Sequence, residues 1–554
     1  MPPKDHQQHA WNTLQHWRHY TKASALYGVA VHAPTLDITS ATGFADGRRT
    51  MVYPARWVDG QHWIMQTQRM LATREWRLRH VDDDNAPLGR PVHWASPFRW
   101  WLGICAMIDH TISGEPVGSA VERAALVANP ALLAVLLLGL VPWVAGRFGG
   151  IAAAFLALAM VGSPPFLALF APDNMDHHGL IEACLMVSVV ALLVGGCGWT
   201  RRGIESADAA HWLPTELQAR RAFTISGVAG GFGLWISAAG MIPVLVGIGV
   251  GALVNAWLGK NAWEFARFDE QLWRRWGTVG GITAFLCYLL EYFPAHLGWR
   301  LEVNHPLYAL AWLGGGEVLA QWTSWLSRHR RERAPFSRLR LGAALVAMAA
   351  PAGVVAAGGG QVFAVADPFL WSLSNGYTPE FRGLLTALQR TGFSLSTVAS
   401  CLPLLLVVPG ALVMARRDSP QLARILIAIP FAAMALFWLM AFKEVRWWLV
   451  GYGFAFVVLV VAVAMITSAS LAYARRTLYL LTAAALFVPG LIVGVQTAEE
   501  KGSLGADEYF SLAERDLAHA LRQRVGDGPL IVLSSPATTS RLIYFGSAQG
   551  LGTP

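Results

Sequence analysis

The run Asp173-Asn174-Met175-Asp176-His177-His178-Gly179 gathers the residue types with the most chemistry in them. Two carboxylates and two adjacent imidazoles stand at the head of an apolar stretch, behind a span carrying Pro164 and Pro165. Asp176 and His178, two apart on a turn, can converge on one cation, with a helix N-terminus beside them to attract a phosphate. Carboxylate and imidazole donors suit Mg²⁺ or Mn²⁺, with Zn²⁺ as a third choice, and His177 belongs to the same set. The plainer reading is helix capping by Asp173 or Asp176, with the histidines in the headgroup zone. A second acidic position is Asp59, in Arg56-Trp57-Val58-Asp59-Gly60-Gln61-His62-Trp63, which alone would be an ordinary loop acid.

Further polar groups cluster in short turns. Lys443-Glu444-Val445-Arg446-Trp447-Trp448 places Lys443 and Arg446 where they could meet a departing phosphate, or where an arginine simply snorkels beside indoles. Glu302 and His305, ahead of Pro306, could line a sugar pocket, although a capping turn explains the neighbouring Asn304 and Pro306. His93 and Trp94 follow a turn-rich stretch and could stack on a sugar ring, with a structural turn as the alternative. Asp173 and Glu182 are candidates for a supporting shell around the histidines.

Long apolar runs must carry these groups. Of 554 residues 54% are hydrophobic and 14% charged, with 24 tryptophans, which excludes a water-soluble enzyme as well as disorder, collagen and coiled coil. Spans are predicted near 129–146, 150–171, 179–197, 222–238, 241–258, 277–293, 307–325, 342–359, 398–415, 424–441, 449–468 and 477–495. The expected fold class is an all-α polytopic membrane protein of about 12–13 transmembrane helices with a small α/β C-terminal external tail. In strict alternation one set of loops holds twenty Lys and Arg, and the opposite set only Arg300, Arg382, Arg390, Lys443 and Arg446. The first set is therefore predicted to be cytoplasmic, and the net charge of +8 reads as a topology signal, with no nucleic acid implied. Five cysteines without a CxxC imply no disulfide framework.

Three regions are expected: 1–128, an N-terminal part and first external loop with interfacial helices; 129–495, the transmembrane domain; and 496–554, a small and possibly truncated external α/β segment. An N-in chain needs a crossing before residue 40, where Ala23 to Val31 is the best run; otherwise the whole of 1–128 lies outside. Trp57, Trp63, Trp76, Trp94, Trp100 and Trp101 suit helices at the membrane surface, Ser96 to Ile112 among them. In the tail, helices are expected over 506–524 and 538–544, with a strand at 530–533.

An acid early in the first external loop followed by a short acidic motif in the second resembles the GT-C superfamily of membrane glycosyltransferases. The pattern is closer to the catalytic subunit of oligosaccharyltransferases, where Asp176-His177-His178-Gly179 stands at the place of an Asp-Asn-Glu-Gly type motif. The resemblance implies transfer of a sugar or glycan, with inversion, from a polyprenyl-phosphate or diphosphate donor. Asp59 would bind or deprotonate the acceptor, and Asp176 and His178 would take the place of the metal-binding pair, with histidine replacing the usual second carboxylate. The expected partners are the lipid-linked sugar and membrane lipids, and the expected location is the inner membrane of a bacterium, with the active site facing the periplasm. No Trp-Trp-Asp-Tyr-Gly type motif is present, so a protein asparagine is not the first-choice acceptor.

The rival readings are a secondary transporter or lipid-linked glycan flippase, and an O-antigen-type ligase or polymerase. A transporter should place its ionisable groups near the midplane and often shows repeats, whereas the acids here concentrate in external loops. A ligase is dominated by a large arginine-bearing external loop, whereas the largest loop here lies early and carries acids.

Overall fold

The computed structural model describes residues 49, 59–92, 94–172, 174–202, 212–262, 266–294, 300–328, 336–358, 379–392, 421–468, 472–500, 506–526 and 528–550. The predicted run at 398–415 and the segment before residue 40 lie outside them, as do His93 and Asp173.

In chain order the elements are α1 (Asp59–Thr73), β1 (His80–Val81), β2 (Arg90–Pro91), α2 (Pro97–Ser113), α3 (Val117–Phe148), α4 (Gly150–Gly162), α5 (Pro164–Leu167), α6 (His178–Val194), β3 (Trp199–Arg201), α7 (Glu216–Ile236) and α8 (Ala238–Leu258). They continue as β4 (Ala266–Phe268), α9 (Gln271–Glu291), α10 (Pro306–Ser327), α11 (Arg338–Gly358), α12 (Leu384–Thr391), α13 (Gln421–Ala441), α14 (Arg446–Ser468) and α15 (Ala472–Glu500). The last are α16 (Ala506–Val525), β5 (Ile531–Val532), α17 (Pro536–Gly546) and β6 (Gln549–Gly550). Every other predicted apolar run coincides with one of these helices, or with the bent pair α4 and α5.

Among the described residues five helices are long and apolar enough to cross a membrane: α3, α8, α11, α13 and α14. The pair Gly150–Gly162 and Pro164–Phe170, bent by 68°, makes a sixth if it is one span. The bend sits where Pro165 cannot donate into the helical ladder. The remaining runs fall on α6, α7, α9, α10 and α15, which are shorter or more polar than that test allows. The chain is an all-α, multi-pass membrane protein.

It divides into two compact units. The first comprises residues 1–133, 170–180 and 498–554. There α1 and α2 pack with the outer part of α3, around Ile64, Met65, Leu102, Ala106, Val121 and Ala124. Met175 and the tail residues Ile543, Tyr544 and Phe545 join the same core. β1 and β2 form a short antiparallel hairpin, with His80 opposite Pro91 and Val81 opposite Arg90. In the tail β5 pairs with β6 in parallel, and Gly550 also exchanges backbone hydrogen bonds with Asp83 and Ala86 of the hairpin loop. Gly114 ends α2 at φ 71°, a left-handed turn that glycine adopts without strain.

The second unit comprises residues 134–169 and 181–497, a helical bundle. Its helices meet at small residues: a Cβ on Gly277 of α9 would fall 2.7 Å from the Cα of Gly316 on α10. Buried polar bridges cross it, with Trp199 donating to Asn255, Asn255 donating to the Ile425 carbonyl, and Trp235 donating to Glu291. Each joins a group that would otherwise be orphaned in an apolar interior.

Candidate functional site

α1 opens at Asp59, an acid in the first helical turn, where a carboxylate complements the helix dipole. Asp59 is exposed, and Gly60 beside it is buried against Met175, where an added Cβ would stand 3.0 Å from the methionine Cβ. Glycine thus lets α1 come down onto the segment that carries Asp176. One turn on from Asp59, and so on the same helix face, Trp63 donates its indole N–H to Asp176 Oδ1 at 2.8 Å.

Asp176 is 3% exposed and collects donors from every side. The backbone N–H of His177 reaches Oδ1 at 2.6 Å, the His177 ring Nδ1 contacts the same oxygen, and His178 Nδ1 lies 2.8 Å from Oδ2. Burial pushes this carboxyl up, but the two imidazoles outweigh it and hold the group well below the usual carboxylate range. The two histidine rings lie nearly parallel at 5.0 Å, and His177 also tilts against Trp63 at 5.4 Å. Asn129, buried on α3, donates to the main-chain carbonyls of Asn174 and Asp176.

The 2.8 Å separation of His178 Nδ1 and Asp176 Oδ2 is that of a hydrogen-bonded ion pair, so the two would hold a cation only by giving up this bond. Magnesium-like ions at phosphate sites commonly take one or two protein ligands and fill the rest with water and substrate oxygens, which a pair can satisfy. Among the described residues no group of three His, Cys, Asp or Glu side chains forms a ready-made metal site.

The other sequence candidates are distributed as follows. Trp94 stacks face to face on Trp63 at 4.8 Å, so one face of its ring is already covered. In the second unit, Arg446 pairs with Glu444 at 2.7 Å and lies over the rings of Phe381 and Trp447, with exposed Lys443 on the same turn. Glu302 pairs with Arg300 at 2.7 Å. His305 caps α10 by accepting the Leu307 N–H at 3.2 Å, which accounts for its position before the proline. Glu182 lies against Gly453 of α14, and neither of its oxygens has a hydrogen-bond partner. Trp63, expected at the membrane surface, is instead 1% exposed, because its N–H is committed to Asp176.

The architecture has solved counterparts. The archaeal oligosaccharyltransferase AglB of Archaeoglobus fulgidus, in complex with an inhibitory peptide and a dolichol-phosphate, superposes with a TM-score of 0.60 at 16% identity, over 90% of this chain and 60% of that one. The fold is the GT-C fold. The apo oligosaccharyltransferase of the same organism gives 0.61 at 14% identity over 95% and 63%, and its complex with Zn and sulfate gives 0.58 at 15% over 90% and 58%. The chain thus spans about three-fifths of the length of these GT-C proteins. No family model and no curated protein matches the sequence.

Sequence reasoning missed Gly60, Asn129 and the structural part played by Trp63. The Asp-Gly pair that opens α1 was a local signal for Gly60, whereas Asn129 looked like one polar residue at the edge of an apolar run.

Proposed function

We propose that the chain is a membrane glycosyltransferase that moves a sugar or glycan from a polyprenyl-phosphate or diphosphate donor to an acceptor, at the outer face of an inner membrane. The observation that carries this reading is the Trp63–Asp176 hydrogen bond, which ties α1, the helix that opens at Asp59, to the segment bearing Asp176 and His178. The GT-C fold supports it, as does the dolichol-phosphate named in the complex of the archaeal neighbour.

In this mechanism Asp59 orients the acceptor and takes its proton. The acceptor's lone pair forms a bond to the anomeric carbon on the face opposite the leaving phosphate, and the carbon–oxygen bond to that phosphate breaks with its electrons, inverting the configuration. A divalent cation held by Asp176 and His178 would supply positive charge to the departing phosphate oxygens. His177 braces Asp176.

The test is release of polyprenyl phosphate by purified protein supplied with a polyprenyl-phosphate-linked hexose and Mn²⁺. Asp59→Asn should lower the rate by about 100-fold or more, the scale of a lost general base, while the protein stays folded. Asp176→Asn combined with His178→Ala should remove the Mn²⁺ requirement's signature along with turnover. Full turnover by Asp59→Asn would remove its assigned role, and an unchanged rate in EDTA would remove the cation.

A further inference from the structure

We infer that the cavity between α1, the 81–84 turn and the tail is a subsite for one neutral sugar ring, a pyranose with free hydroxyls. It lies within the first unit and has a volume of about 200 Å³. Pockets for drug-sized ligands run from about 300 to 1,000 Å³, so the space suits a single ring rather than a chain of them. Such a subsite goes beyond the transfer reading and needs neither Asp59 nor Asp176.

The lining leaves hydrogen-bonding groups of both kinds unspent. Gln66 is 5% exposed, and its Oε1 accepts from Arg99 Nη1 at 2.9 Å. Arginine can only donate, which fixes the amide and leaves Nε2 as a donor still to be placed. On the acceptor side, Oδ1 of Asp83 and Oδ1 of Asp84 have no hydrogen-bond partner, although Asp84 is only 1% exposed. A buried acceptor left open is costly. The two arginines of the lining are already engaged, Arg49 with Gln68 and the Tyr544 carbonyl, and Arg69 with Asp82. A hydroxyl gives to a carboxylate and takes from an amide at once. An ammonium would serve the aspartates alone, and a phosphate would serve Gln66 while facing the carboxylates of Asp82, Asp83 and Asp84. Met65, Val81, Ile543 and Ala548, all buried, form an apolar wall on which the C–H face of a pyranose can lie.

The full-length protein is placed in nanodiscs of phosphatidylcholine, so that no sugar-headed detergent competes. Glucose, galactose, mannose and N-acetylglucosamine are titrated in turn and followed by saturation-transfer difference NMR. At least one should give a saturable signal. Gln66→Glu keeps the acceptor for Arg99 and exchanges the open donor for a second acceptor, so the half-saturating concentration should rise about 10-fold or more, the scale of one such hydrogen bond. Should that variant not fold, Asp83→Leu, at a half-buried position, is read in the same way. The inference is overturned if none of the four sugars binds saturably, or if both variants bind as wild type does; water then meets the open groups. Asp59→Asn separates this subsite from the transfer reading: it should bind the sugar normally while losing turnover, and loss of binding would place the signal at the transfer site instead. Displacement by a polyprenyl-phosphate-linked hexose supports a ring that belongs to the donor, and persistence supports a free or acceptor sugar.

Discussion

At the residue scale, buried ionisable groups carry the expected pH behaviour. His62 lies on α1 next to Trp63, with Nε2 3.0 Å from the Ser540 hydroxyl and Nδ1 3.8 Å from Asp84, which Arg90 also engages. Burial lowers the His62 pKa, and Asp84 only partly restores it against Arg90. A histidine with a depressed pKa in the folded state contributes stability above its unfolded value of about 6.5, and that contribution is lost as pH falls through the folded value. Nearby Asp83 has its pKa raised by burial and by Asp84, so its protonation in acid works in the opposite direction. The comparison that isolates His62 is between proteins: from pH 7.5 to 5 the wild-type thermal midpoint should fall further than that of His62→Gln. Equal falls would show that the imidazole titrates alike in the folded and unfolded states. Asp176 and His178 were legible because their pairing is local in sequence. Trp63 and Asn129 were not, because their partners lie 113 and 47 positions away and only tertiary contact reveals them.

At the element scale, most of the helical framework could be read from apolar runs, since a segment about 20 residues long without charge has few soluble alternatives. Its packing could not, because in a bilayer the choice of neighbour depends on where small residues allow backbones to approach. Gly277 and Gly316 show this: each added Cβ would meet the other residue's Cα, at 2.7 and 2.6 Å. Gly277→Ala or Gly316→Ala should therefore push α9 from α10 and cost about 1–3 kcal/mol, the range for overpacking, read as a lower thermal midpoint in detergent. Gly315 is the internal control. It lies on the same helix with open space around its missing Cβ, so Gly315→Ala should be neutral or slightly stabilising. A drop as large as that at Gly316 would show that the loss does not come from the α9–α10 contact. α1 likewise works through its faces: Trp63 looks to the ledge, while His62, Met65, Gln66 and Arg69 line a cavity of about 200 Å³ together with Val81, Asp83, Ile543 and Ala548.

At the scale of the whole molecule, the C-terminal tail completes the unit that holds the candidate site, a relation that sequence distance concealed. Tyr544 and Phe545 are buried in the core of the first unit, and the Tyr544 hydroxyl donates to Glu122. The Tyr544 carbonyl accepts from Arg49, whose guanidinium also lies 3.6 Å from Glu122. Removing residues 527–554 would strip away this core and its backbone pairing at Asp83 and Ala86, while leaving Asp59, Asp176 and His178 in the chain. Burial of side chains such as Ile543, Tyr544 and Phe545 is worth roughly 1.5–3 kcal/mol each, and Arg49 and Glu122 would be left in a opened pocket. A chain ended at Gly526 should consequently be cut by trypsin at Arg69, Arg74, Arg77 and Arg79 faster than the full protein, and should lose donor turnover while its membrane helices remain folded. Mass spectrometry of timed digests reads the first effect, and polyprenyl phosphate release reads the second. If the shortened chain kept both its resistance and its turnover, the tail would be an appendage and the first loop would hold the site by itself.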